Sequence, residues 1–468
     1  MHTLPSVPSG QEHGIELKPF RGVRYVAGRV SAIANTTSPP YDVIGPGVLD
    51  DLLAADPHNI VRLILPGPET GGPPGADGAS LAAGLLREWL GSGVLVRESA
   101  PSFYIYEQNA PGWLQRGLLA LVRVGTPAEA GILPHERVMP GPVAGRRELM
   151  RATRANLEPI FLVYNGGGSD GRGGSDGFPA GADGSDGFGA GADGSGGHGG
   201  VAGTASALVN RVAAEQPPLM TTVTRDGVTH RLWRVDDPAV QAAVAADLAT
   251  RPALIADGHH RYAAYRQLRD QMRAAGHGTG PWDYGLAFLV DADAYPPRLG
   301  AIHRVLRDLP ADTAARRAGE AFRVRAAGED FGAALAALAD AGREGHAFLL
   351  AGDGGFRLLD RPSAGLLTSA MPSEVSDEWR SLDAAVLQEV LLAKVWGIED
   401  NVRDVLISHD AEEAVRMARA ASGTAVICNP MPITAVQEIA ALGECVPRKS
   451  TSFGPKPRTG LVFRTFEE

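Results

Sequence analysis

Ala253-Leu-Ile-Ala-Asp257-Gly-His-His-Arg261-Tyr-Ala-Ala-Tyr265 is an apolar run that ends abruptly in ionisable and imidazole side chains. Pro252 and the residues after it predict a buried strand, Asp257-Gly258 a turn, and His259 onward an amphipathic helix reaching about Met272. The first turn of such a helix has unpaired backbone N–H groups and the positive end of the macrodipole, so the corner is suited to an anion. Gly258 lets the backbone approach closely. Arg261 offers a forked donor for phosphate oxygens, and His259 and His260 can donate hydrogen bonds or move protons. Asp257 can serve as a base or as partner to magnesium. On spacing alone two other readings stay open: a helix-capping aspartate beside solvated histidines, and a zinc or iron site.

Working outward, the rare lysines supply a second signal. Of 44 Lys+Arg, the lysines are Lys18, Lys394, Lys449 and Lys456. In a chain that otherwise uses arginine, a retained lysine suggests a need for a compact ammonium. Two of them lie in Pro447-Arg-Lys449-Ser-Thr-Ser-Phe453-Gly-Pro-Lys456-Pro-Arg-Thr-Gly460, just before the strand-like Leu461-Val-Phe-Arg-Thr. Lys449, Ser450, Thr451 and Lys456 form a phosphate- or carboxylate-binding set, or else an ordinary basic loop. Segment order does not show whether this loop meets Asp257.

With 468 residues and 44% hydrophobic content, the chain can bury a substantial core in two or three domains. No apolar stretch approaches the ~18 residues of a bilayer span, and Met1-His-Thr-Leu-Pro-Ser lacks a basic-then-apolar leader pattern. A cytoplasmic protein without membrane contact is expected. A net charge of -10 opposes a nucleic-acid partner, and no helix-turn-helix with a basic recognition face is evident. Cys428 and Cys445 are too few for a disulfide framework or a thiolate metal site.

The expected fold class is α/β (α+β), with mixed sheets and covering helices. Strands are predicted at Ile60–Leu65, Phe103–Tyr106, Gly117–Arg123 and Pro159–Val163, and helices at Leu81–Leu90 and Glu148–Leu157. Asp226-Gly227 marks a hairpin turn and Pro238–Leu248 a helix. Farther on come strands near Tyr284–Val290, Ala301–Val305, Val405–Ser408 and Ala425–Asn429, with helices near Thr313–Phe322, Ala333–Ala341 and Asp410–Ala421. From Asn165 to about Gly203 the sequence is nearly all Gly, Asp, Ser and Ala, and predicts a disordered insert. Pro66–Ser80 is a shorter Gly/Pro-rich loop. The divisions read as a flexible 1–18, an N-terminal α/β part 19–164, the insert 165–203, a central part 204–310 with the Asp-Gly-His-His-Arg loop, and a C-terminal α/β part 311–468.

Several polar clusters sit where loops are expected: Tyr41-Asp42, His135-Glu136, Arg154-Ala-Asn156 and His303-Arg304. Each is a candidate substrate-binding group, or else turn chemistry or a satisfied pair. His135-Glu136 is the better candidate for acid–base work, because the two groups tune each other's proton affinity.

Taken in order, Pro19-Phe-Arg-Gly, Pro39-Pro-Tyr-Asp-Val-Ile, His58-Asn-Ile-Val-Arg-Leu, Leu133-Pro-His-Glu, Arg154-Ala-Asn-Leu, Ala256-Asp-Gly-His-His-Arg-Tyr, His303-Arg and Lys449-Ser-Thr resemble domain-of-unknown-function family 1015 (DUF1015). The resemblance runs from about Pro19 to Phe463, outside the glycine insert. Gly454 stands where the family commonly has an aromatic, which weakens any stacking role there. The resemblance extends to ParB-like folds, which hold nucleotide phosphates on this loop in CTP-binding partition proteins, in sulfiredoxin and in ADP- or ATP-dependent kinases of free serine. It implies phosphoryl chemistry rather than DNA binding.

The expectation is therefore a nucleotide-dependent phosphotransferase acting on a small hydroxylated metabolite, with free serine the first candidate. ATP or ADP, with CTP as a further alternative, is the expected cofactor, together with Mg2+. Gly258, His259, His260 and Arg261 would cradle the phosphates, Lys449 and Lys456 would offset developing charge, and Asp257 or Glu136 would accept the hydroxyl proton, with His260 a further proton-transfer candidate. The alternatives are a ParB-like nucleotide switch without turnover, and a metal hydrolase using Asp257, His259, His260 and His303.

Overall fold

Alternation of large apolar side chains along the central strands builds one sheet with two cores. The computed structural model describes residues 14–67, 77–167, 204–401 and 403–467. Its nine-stranded sheet runs Ile132–Leu133, Ala253–Asp257, Ile160–Tyr164, Tyr284–Asp291, Trp113–Arg123, Phe103–Ala110, Thr229–Val235, Met220–Val223, with Leu17–Lys18 beside Trp113–Arg123. Phe161, Val163, Leu254, Phe288 and Tyr106 enter one core. Ile160, Leu162, Ile255, Leu289 and Ile105 enter the other. A strand buried on both faces needs a cover on each, as period-two side-chain geometry requires. Helices Thr204–Glu215, Pro238–Leu248 and His259–Ala274 cover the second face. Helix Gly78–Gly91 and a small four-stranded sheet cover the first.

The sheet is mixed. Ala253–Asp257 runs parallel to Ile132–Leu133 and antiparallel to Ile160–Tyr164, with a register shift between Ile255 and Asp257. A second, six-stranded antiparallel sheet orders Arg323–Ala326, Gly355–Asp360, Phe348–Gly352, Thr424–Cys428, His303–Leu306 and Val405–Ser408. It too carries helices on both faces. The expected division at 310/311 therefore falls after a strand, His303–Leu306, that already belongs to this second sheet. The chain then returns: Ser452–Gly454 pairs with Arg298–Gly300, and Phe463–Thr465 pairs with Gly22–Tyr25 and Ala155–Asn156. That return carries both C-terminal lysines back toward the first sheet.

The architecture is the α/β mixture expected, but four local readings change. Residues Ile60–Leu65 were expected to form a strand and instead contain helix Val61–Ile64. Asn59 is fully buried, its Oδ1 accepts from the Val61 N–H at 2.9 Å, and its amide donates to the Asn35 and Thr37 carbonyls. A short apolar run has no period that separates a buried strand from a buried helical turn, so the turn held by the Asn59 side chain decides. The helix expected at Glu148–Leu157 runs Pro140–Thr153, starting on a proline and ending where Arg154 turns left-handed at φ 48°. Gly141, Pro142 and Gly145 hide its first turns from a propensity reading.

Residues 14–18 belong to the core rather than to a flexible tail, with Ile15 and Leu17 buried and Leu17–Lys18 paired to Leu121 and Val122. The Pro66–Ser80 loop gives way to helix at Gly78, where Asp77 caps the Ala79 and Ser80 N–H groups. Residues 1–13 and 68–76 lie outside the described residues, as does 168–203 of the predicted insert.

One carboxylate fastens the chain on both sides of that insert. Asp291 Oδ1 accepts from the Gly166 N–H at 3.0 Å, and Oδ2 accepts from the Ser206 hydroxyl at 2.5 Å. Replacing residues 168–203 by a short Gly/Ser linker is expected to change stability by no more than about 1 kcal/mol, because loop-closure entropy varies slowly with length. Thermal unfolding of the deletion checks this, and an insoluble or strongly destabilised product would assign the tract a structural role.

Candidate functional site

At the end of strand Ala253–Asp257 the chain turns through Gly258, at φ 96°, directly into helix His259–Ala274. A Cβ at position 258 would lie 3.1 Å from both Ile160 Cγ2 and Arg261 Nε, so position and conformation both require glycine. No side chain caps this helix, and its first N–H groups open at the corner.

Arg261 does not face outward as the sequence reading supposed. Its side chain is 4% exposed, Nη2 pairs with Asp257 Oδ2, and Nη1 donates to the Pro159 carbonyl at 2.6 Å. Burial opposes its charge, yet Asp257, Glu158 and Asp42 outweigh that cost and raise its pKa. Tyr41 lies between two guanidiniums, 4.2 Å from Arg146 and 5.9 Å from Arg261, and its N–H donates to Glu158 Oε1 at 3.1 Å. Burial raises the Glu158 pKa, partly offset by Arg261 and Arg146.

The C-terminal loop does reach the corner. Lys456 Nζ bridges Asp257 Oδ1 at 2.5 Å and Asp42 Oδ2 at 3.0 Å. Burial acts against the ammonium, but the two carboxylates raise its pKa. Lys449 is exposed at a left-handed φ of 53°, and among the described residues it has no ion-pair partner. Its charge, with that of Lys456, depresses the proton affinity of His259 and His409 after burial itself.

A proton-handling chain lies alongside. The Thr451 hydroxyl donates to Glu136 Oε1 at 2.8 Å. Having given its single proton, it accepts from His135 Nε2 at 3.0 Å, which makes Nε2 the protonated nitrogen of neutral His135. His259 Nε2 accepts from the His135 N–H at 3.3 Å, leaving Nδ1 to carry the proton 3.8 Å from Glu136 Oε2. The two imidazoles meet edge to face at 4.5 Å. Burial, then the neighbouring His259, holds His135 down to about 3. Burial, then His260 and the nearby cations, holds His259 at about 3. His260 is half-buried, its Nε2 accepts from the Met139 N–H at 3.1 Å, and burial followed by Lys449 lowers its pKa.

A pH prediction follows from this pair. Between about 6.5, the unfolded value, and about 3, the unfolded chain binds protons that folded His135 and His259 refuse. Stability is therefore expected to be undiminished by this pair above pH ~6.5 and to fall progressively as pH drops toward 3. A double His135→Gln, His259→Gln variant should show a flatter stability profile in that window by urea unfolding, and an unchanged slope would remove the pair as its source.

The structure thus gathers Tyr41, Asp42, His135, Glu136, Asp257, Gly258, His259, His260, Arg261, Lys449, Thr451 and Lys456 around one corner. Ser450 turns away, its hydroxyl donating to the Pro447 carbonyl at 2.7 Å. Arg154 is an exposed helix C-cap, and buried Asn156 spends its amide on Arg464 and the Met150 sulfur. His303 lies in the second sheet, its Nδ1 accepting from the Cys428 N–H, and Arg304 borders a separate cavity. The metal-hydrolase set therefore does not converge: His303 is elsewhere, His259 and His260 each use Nε2 on a backbone N–H, and both Asp257 oxygens face cations. Among the described residues no group of three or more His, Cys, Asp and Glu is disposed to hold a metal ion. Sequence reading missed Arg146, Glu158 and His409. His409 follows strand Val405–Ser408 directly before a capping Asp410, a strand-to-helix corner like that at Asp257.

Fold and corner together define a mixed α/β protein with an uncapped helix N-terminus set among lysines, imidazoles and carboxylates. The family model described as "Protein of unknown function (DUF1015)" matches residues 17–170 and 200–385, and the chain belongs to that family. No curated protein matches it. Among solved structures it is similar to a mutant free serine kinase in complex with ADP, at 14% identity over 71% of this chain and 89% of that one, with a TM-score of 0.32. A C-terminally truncated SbnI from Staphylococcus aureus matches at 10% identity over 73% and 85%, TM-score 0.32. A conserved hypothetical protein from Pyrococcus furiosus matches at 14% over 72% and 93%, TM-score 0.31. No helix among the described residues is long and apolar enough to cross a membrane.

Proposed function

We propose that the protein is a cytoplasmic nucleotide-dependent phosphotransferase whose acceptor is a small hydroxylated metabolite, with free serine the first candidate. The observation that carries this reading is the bridge from Lys456 to Asp257 and Asp42 beside an uncapped helix N-terminus. It joins a remote lysine to a corner suited to phosphate. The backbone N–H groups of His259 and His260 and the ammonium of Lys449 hold the nucleotide phosphates, and Lys456 stabilises charge on the transferred group. Arg261 acts behind them by locking Asp257 in place.

Glu136 is assigned as the base. Its side chain is 25% exposed, Thr451 orients one oxygen, and the other, with His259 Nδ1 standing off at 3.8 Å, can take an acceptor hydroxyl proton. Asp257 suits this role less, because Arg261 and Lys456 occupy both its oxygens. Magnesium fits as a partner of the phosphates plus one carboxylate, Asp42, which meets Lys456 through Oδ2, since this ion keeps most of its shell from water and phosphate. It would supply charge neutralisation on the nucleotide.

A thermal-shift panel of ATP, ADP and CTP with Mg2+, with and without serine, tests the reading. A nucleotide-specific rise in Tm, enlarged by the acceptor and accompanied by stoichiometric nucleotide consumption, is expected. A rise without consumption under any hydroxylated acceptor would instead indicate a ParB-like switch. Absence of any nucleotide shift would remove the phosphate site itself. Lys449→Ala is expected to weaken nucleotide binding roughly ten- to a hundredfold, the range for a hydrogen bond to a charged group, without moving Tm. Unchanged affinity by calorimetry would take Lys449 out of the site.

A further inference from the structure

A cavity of about 570 Å³ lies on the other side of segment 447–451 from the corner. Helix Phe331–Glu344, the turn after strand Thr424–Cys428 and the residues around Asp383 wall it, and Ser450 closes it toward the corner. Its volume lies within the ~300–1,000 Å³ range of small-molecule sites. Ile302, Leu387 and Met431 give it apolar wall, while Arg304, Arg343, His346 and Asp383 supply the charged and imidazole groups.

Arg304 is the unusual member. It is 4% exposed, and its guanidinium donates to the carbonyls of Arg448 at 2.9 Å and Ile302 at 3.4 Å. Nε is buried without a hydrogen-bond partner, and the carboxylate of Asp400 stands off at 4.0 Å. Burial pulls its pKa down, with Cys428 and Asp400 acting the other way. At the opposite wall Asp383 is already engaged, its Oδ1 lying 2.7 Å from His346 Nδ1. Burial pushes the Cys428 thiol up to about 12, which leaves it a neutral apolar wall, and the thiol senses both Arg304 and Asp383. The buried cation of the cavity, Arg304, is therefore incompletely compensated, while its carboxylate, Asp383, has a partner, Arg343 is exposed and paired with Asp340, and Ser381, Asn429 and Ser450 add neutral polar groups to an apolar wall. A buried charge short of a counter-ion favours an anion in the adjoining space.

We propose that this cavity is a second ligand site, taking a small metabolite with one carboxylate on a short apolar body, the carboxylate seated against Arg304. The site is separate from the nucleotide corner. Arg304 nevertheless holds the Arg448 carbonyl, one residue before Lys449, so an occupant that draws on the guanidinium also acts on the loop that carries the phosphate-binding ammonium.

Calorimetry on the full chain with straight-chain monocarboxylates from acetate to octanoate, and with the matching neutral amides, tests the proposal. Saturable binding is expected for the acids, strengthening with chain length until the cavity is filled, and absent for the amides. Arg304→Met is expected to weaken the best acid roughly ten- to a hundredfold. Because that residue is buried and its replacement can unfold the domain, Ala384→Phe, which fills the cavity from its partly exposed wall, serves as the second variant. It should abolish acid binding while leaving any nucleotide-induced rise in Tm intact. Equal binding of acids and amides, binding that survives Ala384→Phe, or no binding by any acid would overturn the proposal and would leave the reading of the corner untouched.

Discussion

Arg261→Ala is expected to lower folding stability by about 3–5 kcal/mol, the usual cost of stripping one partner from a buried ion pair. A guanidinium that only cradled phosphates would give the opposite balance, a large loss of ligand affinity with little loss of stability. The geometry reverses it. Asp257 and Arg261 have side chains 8% and 4% exposed, and the guanidinium also satisfies the Pro159 carbonyl and stands near the Tyr41 ring. Without it Asp257 keeps Lys456, and buried Glu158 loses the strongest of the positive charges that hold its proton affinity in check. For a chain of this size, such a loss should appear as a fall in Tm of about 3–5 °C. Arg261→Lys should recover only part of it, because an ammonium cannot serve the aspartate and the carbonyl as a planar fork does. Chemical denaturation of the three proteins measures this directly. A Tm that stays put while nucleotide affinity collapses would mean that the guanidinium meets the ligand and not the fold.

Glu136→Gln is expected to lower kcat by about 10²–10⁴-fold, the usual worth of a positioned general base. Nucleotide affinity and Tm should hardly change, since the amide oxygen can still accept the Thr451 hydroxyl and the side chain is partly exposed. Asp257→Asn should behave differently, losing stability because two cations face one neutralised group. If Glu136→Gln keeps kcat within a fewfold of the parent, the base lies elsewhere, and Asp42 is then the next carboxylate at the corner to test. Single-turnover measurements separate this chemical step from nucleotide binding.

Local chemistry accounts for most of what could be read in advance. The strand, turn and helix at Ala253–Tyr265 were legible because an all-buried strand, a glycine and a helical period follow one another without ambiguity. The hairpin at Asp226-Gly227 was legible for the same kind of reason. Where the pattern carried no period, as at Ile60–Leu65, or where glycine and proline masked a helix, as at Pro140–Thr153, the reading slipped. At those places a cap or a tertiary contact outweighed propensity. For the corner, residue types were legible while their orientation was not. Nothing in the order of residues said that Arg261 turns inward, that Ser450 faces away from Lys449 and Thr451, or that His409 joins from the other sheet.

Composition and spacing were enough to establish an α/β chain, a strand-to-helix turn suited to an anion, and a pair of lysines worth finding, because each depends on backbone geometry and on neighbours a few residues apart. Which charges actually meet was settled by folding alone. Lys456 and Asp257 are brought together when the chain's last strand, Phe463–Thr465, pairs beside Gly22–Tyr25 and Ala155–Asn156. Backbone pairing over so great a sequence separation gains its free energy from the whole sheet and the core beneath it, and no short window of residues carries that information.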